Sequence, residues 1–132
     1  MMTEDYVSFE TAKLLKEKGF NGECFSMYVS PKPHCGMGNP NEPKIAPHGR
    51  DNHYYEGYLY QCEAPTLQMT MKWLREVHNI DCTPYLQLNA RAYTYMVVQI
   101  KPINVLKVCN ENYKSYEEAC EAAIKYCLEN LI

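Results

Sequence analysis

The chain is poor in large aromatics other than tyrosine, with one Trp and three Phe among 132 residues. It has no apolar run near the roughly 18 residues that cross a bilayer, which excludes a membrane-spanning helix. Positive charge is not in excess: 13 Lys and Arg stand against 16 Asp and Glu, a formal charge of −3. That excludes the basic field of a general nucleic-acid binder. No Cys-x-x-Cys pair occurs, which removes thioredoxin-type and zinc-knuckle readings. Gly-rich phosphate loops, a Gly-x-Ser-x-Gly elbow and a His-Glu-x-x-His pair are missing too. The opening Met1-Met2-Thr3-Glu4-Asp5-Tyr6 is acidic and lacks the apolar core of a secretory signal. With 46% hydrophobic and 22% charged residues, the chain is too apolar to stay disordered. Its length predicts a single domain over 1–132.

Cysteine and tyrosine are abundant instead. Seven cysteines, an odd number without a leader, argue against a disulfide framework and for a reducing cytoplasm. Most of these thiols then serve as small buried hydrophobes. Twelve tyrosines suit positions with one apolar side and one wet side, such as sheet faces and interfaces.

A first helix is predicted over 9–18, with Ser8 as N-cap, Gly19 as the left-handed residue that ends it, and Phe20 packing back on Leu15. Strand patterns follow over 24–29 and 54–62. A second helix over 65–78 begins at Pro65 and stops at Asn79. Three strands are expected at 83–88, 93–100 and 104–109. In the middle one, Met96, Val98 and Ile100 alternate with Tyr93, Tyr95, Val97 and Gln99, so one face is covered and the other wetter. Ser115 and Glu118 form a capping box for a last helix with the apolar stripe Tyr116, Ala119, Cys120, Ala123, Ile124, Cys127, Leu128 and Leu131. The order is α-β-loop-β-α-β-β-β-α. The fold class is α+β: a mostly antiparallel sheet of about five strands with three helices packed on one face.

Residues 31–53 hold five of the eight prolines, three of the six glycines and three of the four histidines. A structureless connection of this length is usually functional or disordered. With Cys62, it gathers His34, Cys35, His48 and His53, the donor types zinc takes. The spacing matches no standard finger. Zinc, in a stabilised module or a metal-dependent hydrolase, is therefore the alternative to a solvated loop, and otherwise no cofactor is expected. His48-Gly49-Arg50-Asp51-Asn52-His53 also has the ingredients of a histidine-based hydrolytic centre.

Tyr54, Tyr58 and Tyr60 share one strand face, and Tyr93 and Tyr95 share another. If these strands neighbour each other, the rings form one interaction patch, for a second copy or another protein. Single-stranded nucleic acid would need Lys and Arg between the rings, and only Arg91 and Lys101 border the middle strand. Residues 66–132 share the α-β-β-β-α order of a double-stranded RNA-binding domain. Glu117 and Glu118 would repel phosphate where that module needs cations, so nucleic acid is a weak alternative. Cys82, four residues after His78, makes a Cys–His pair thinkable, but no orienting third residue accompanies it. No catalytic residue is assigned, and an enzyme is the less favoured reading.

Three segments carry a resemblance: Asp5-Tyr6-Val7-Ser8-Phe9-Glu10 through Lys18-Gly19-Phe20, Leu67-Gln68-Met69 through Glu76-Val77-His78-Asn79-Ile80, and Tyr116-Glu117-Glu118-Ala119 through Tyr126-Cys127-Leu128-Glu129-Asn130-Leu131-Ile132. They resemble a family of small prophage and mobile-element proteins of gut anaerobic bacteria, a family with no assigned activity. The resemblance implies a cytoplasmic accessory protein and does not include the Pro/His loop. The leading expectation is a non-enzymatic interaction domain, a homodimer or the partner of another protein.

Overall fold

The computed structural model describes residues 5–33, 36, 38–48 and 57–132. The fold is α+β, with helices α1 (Phe9–Glu17), α2 (Leu67–His78) and α3 (Tyr116–Asn130). The strands are β1 (Ser26–Pro31), β2 (Lys44–Pro47), β3 (Tyr58–Glu63), β4 (Ile80–Gln87), β5 (Ala92–Gln99) and β6 (Asn104–Val108). They do not join into one sheet of about five strands. Two antiparallel three-stranded sheets form, ordered β2-β1-β3 and β4-β5-β6. The chain gathers into two compact units, Ser8–Pro65 and Thr66–Ile132 with 5–7.

In the Ser8–Pro65 unit, Ser8 caps α1 by accepting the Thr11 amide at 3.2 Å. Gly19, at φ 85°, closes it. Phe20 N–H donates to Leu15 carbonyl at 2.9 Å and Gly19 N–H to Lys16 carbonyl at 3.2 Å, the paired bonds that satisfy orphan carbonyls at a helix end. β1 is the central strand and is buried along its whole length. The loop expected over 31–53 is not structureless throughout, because Lys44–Pro47 pairs with β1 from Ser26↔Pro47 to Val29↔Lys44. β3 pairs on the other side with a bulge. Tyr28 faces Cys62 and Val29 faces Tyr60, so Gln61 is the extra residue. At that open edge Lys16 Nζ donates to the Gln61 carbonyl at 2.9 Å. Met27, Val29 and Ala46 form a small core, with Tyr58 packed against it.

In the other unit, α2 begins at Leu67, two residues after the expected start at Pro65, because Thr66 caps it, its hydroxyl accepting Met69 N–H at 3.2 Å. Asn79, at φ 61°, ends the helix as expected, and its amide side chain donates to the Lys101 carbonyl at 2.7 Å. β4 and β5 pair in unbroken register from Ile80↔Gln99 to Gln87↔Ala92. β6 pairs with β5 across a second bulge, Met96↔Val108 and Val98↔Val105. Helix α3 lies over β4 and β5, and α2 packs beside it. Ala119, Cys120, Ala123, Ile124, Cys127 and Leu128 form its buried side. Four of those six are Ala or Cys, small enough to let the helix sit close on the sheet. The capping box forms with one difference: Ser115 Oγ accepts Glu118 N–H at 3.1 Å, while Glu118 Oε2 accepts the amide of Lys114. No helix among the described residues is long and apolar enough to cross a membrane.

Candidate functional site

The histidine-bearing segment yields one described constellation. His48 follows β2 directly, on the face that carries Lys44 and Ala46, because side chains alternate along a strand. Glu63 ends β3, opposite Met27. Its carboxylate takes His48 Nε2–H at 2.8 Å and 3.0 Å and the Tyr60 hydroxyl at 2.9 Å. A carboxylate only accepts here, so Nε2 carries the proton. Burial, then the bond and charge of Glu63, push the Tyr60 phenol up to about 12. Burial and then Glu63 push the Cys24 thiol up to about 11. A thiol so raised stays protonated near neutrality and is no nucleophile. The cluster orients an imidazole, and the described groups that share its carboxylate, Tyr60 and Cys24, keep their protons.

Of the residues with zinc-ligand chemistry, His34, Cys35 and His53 lie outside the described residues. His48 is exposed and paired with Glu63. Cys62 is fully buried; desolvation is the main cause of its raised thiol pKa, with Lys16 and Lys13 of α1 pulling the other way. A buried thiol below α1 and an exposed imidazole do not converge. Among the described residues, no group of three or more His, Cys, Asp or Glu could hold a metal. Further along the same sheet, Lys44 Nζ lies 4.3 Å from the Tyr58 ring centre and donates to its hydroxyl at 2.9 Å. A cavity of about 260 Å³ beside them is lined by Pro31, Pro43, Glu42, Lys44 and Tyr58 among others.

Among the described residues, the tyrosines do not share one sheet. Tyr54 lies outside the described residues. Tyr58 and Tyr60 belong to the β2-β1-β3 sheet, Tyr93 and Tyr95 to β4-β5-β6. Tyr93 and Tyr95 face helix α3. Their rings meet those of Tyr116 and Tyr126 on α3, at 6.1 Å and 6.5 Å between centroids, and Tyr95 is 5% exposed. They form the layer between helix and sheet. The thinkable Cys82–His78 pair does not form either. Cys82 is turned to Cys127, and His78 sits edge-on to Trp73 at 4.6 Å.

The face of β4-β5-β6 away from α3 therefore carries the alternate set. It holds Tyr85 of β4, Met96 and Val98 of β5, and Val105 and Val108 of β6. Val105 and Val108 are each 52% exposed and Tyr85 36%. Asp81, Thr83 and Gln87 share the β4 row with Tyr85, with Thr83 hydroxyl 3.5 Å from the Asp81 carboxylate. Beside it Ile103 and Leu88 stand out from the turns. The alternation of Met96 and Val98 with Tyr95 and Val97 marks two faces in the sequence. What assigns them is Tyr126, a helix residue outside the stripe first recognised.

No family model, curated protein or solved structure matches the chain.

Proposed function

We propose that this chain is a non-enzymatic interaction protein that self-associates through the α3-free face of the β4-β5-β6 sheet. In the setting implied by its resemblance to prophage and mobile-element proteins, that makes it an accessory protein. One observation carries the reading: two cross-strand apolar pairs, Met96–Val108 and Val98–Val105, sit on a face that no helix of their unit covers, with half-exposed valines. Contiguous apolar surface of this kind marks contact sites.

The occupant is a second copy, because the face complements itself. Thr83, Met96 and Val108 lie on one cross-strand row. A two-fold axis across the strands at that row stacks β4 on β4 in reverse. Asp81 of one copy then lies over Tyr85 of the other, a carboxylate meeting a phenol donor twice, and the valines meet between them. Sheets stacked in this way sit about 10 Å apart. Three strands at about 4.8 Å spacing and about five residues each give a face of roughly 240 Å². A standard interface takes about 800 Å² per partner, so the dimer is weak and concentration-dependent.

The test is native mass spectrometry with sedimentation velocity across a concentration series, on tag-free reduced protein without added metal. A monomer–dimer equilibrium near 100 µM is the expected result, lost in Val105→Glu/Val108→Glu and weakened in Tyr85→Phe. Those valines are exposed, so the double variant should keep its circular dichroism. A protein monomeric throughout, or a dimer untouched by the double substitution, sinks the reading. A stoichiometric zinc adduct would turn attention to the 34–62 segment instead.

A further inference from the structure

We propose that Cys82 and Cys127 are a latent disulfide, closed by a hydroperoxide, that locks α3 to β4. Cys82 stands on β4 and Cys127 on α3, with their sulfurs 3.4 Å apart. Both are buried, 4% and 0% exposed. A disulfide is about 2.05 Å long, so each sulfur has to move only about 0.7 Å. Of the other described thiols, Cys120 is close enough to bear on Cys82 electrostatically, but its hydrogen bond goes elsewhere. Cys120 donates to Met71 Sδ at 3.3 Å, and Cys109 Sγ accepts the Glu111 amide at 3.4 Å. Cys24 and Cys62 belong to the other unit.

The reaction balances with one peroxide. The first thiol gives up its proton and attacks a peroxide oxygen. The O–O bond breaks, one water leaves, and that sulfur becomes a sulfenic acid. The second thiol then displaces its hydroxyl as a second water. Two thiols and one hydrogen peroxide become one disulfide and two waters. With a thiol already 3.4 Å away, the sulfenic acid is captured before it climbs to the irreversible sulfinic state. The bond to Cys127 and burial hold the Cys82 proton far more tightly than in a free thiol. Closure is therefore slow beside that of an activated cysteine, and paced by access of the peroxide. The link joins residues 45 apart, restricting the unfolded chain and raising the thermal midpoint by about 10 °C.

Unmutated protein is treated with hydrogen peroxide, digested without reduction and mapped by mass. The expected result is a loss of about 2 Da, one cross-linked peptide pair carrying Cys82 and Cys127, and a higher midpoint that reverses on reduction. Cys24→Ser should leave the cross-link intact. Both thiols still open to alkylation after unfolding, oxygen adducts on either of them, or a disulfide between other cysteines would each overturn the proposal. Because the mapping uses the natural chain, a folding defect in a Cys127 variant does not affect the decision.

Discussion

Protons around Glu63 are held more tightly in the folded chain than in the unfolded one. The Cys24 thiol rises from 9.0 to about 11, through burial first and then the carboxylate's charge. The Tyr60 phenol rises from 10.0 to about 12, through burial and then its bond to Glu63. Both groups are neutral when protonated, so the unfolded chain ionises first as pH climbs. Stability from these groups is complete below about pH 9 and lost as pH rises toward 12, with the native state binding more protons across that window. Thermal midpoints measured from pH 8 to 11 should fall. The fall should be smaller in a Glu63→Gln variant, which removes the charge that helps raise both groups. At this scale the sequence was half legible. His48 stands out in a Pro/His segment, but Glu63, fifteen residues on, is one acid among sixteen Asp and Glu, and only the β2-β1-β3 register brings it to the imidazole.

Helices were the most readable elements, because their ends are written in local chemistry. Ser8, Gly19, Asn79, Ser115 and Glu118 all act at the ends they were expected to mark. Helix α2 starts after Pro65 and not at it, because the Thr66 hydroxyl accepts the Met69 amide and so takes the cap position. Ser115→Ala should cost about 1 kcal/mol, a midpoint drop of about 4 °C at this size, read by calorimetry. Strand β2 was illegible. Four residues, Lys44-Ile45-Ala46-Pro47, are too few to show a period among prolines and glycines. They become a strand because β1 offers them an open side. The same edge logic explains Lys16. Its ammonium occupies the carbonyl of Gln61 on the β3 edge, where another chain could otherwise add a strand.

Across the molecule, alternation told which residues share a face but not which strands share a sheet. Cross-strand partners are set by three-dimensional pairing, and six strands divide into two sets of three as readily as into one larger sheet. The orientation of β5 shows the same limit. Tyr93 and Tyr95 looked like the wetter face because tyrosine tolerates water. Instead Tyr116 and Tyr126 drew them under α3, leaving Met96 and Val98 on the side without a helix. The proposed self-association therefore rests on valines that composition alone would assign to a core. Trp73 adds an optical consequence. It is the chain's one tryptophan, it is 7% exposed, and it lies on α2 within the Thr66–Ile132 unit. Indole emission is thus a built-in reporter of one unit and blind to the other. Its red shift during denaturation should follow the loss of α2 and α3. Far-ultraviolet ellipticity followed alongside it registers both units. Overlapping curves would mean that the two units melt as one; separate curves would give each its own midpoint from an unlabelled sample.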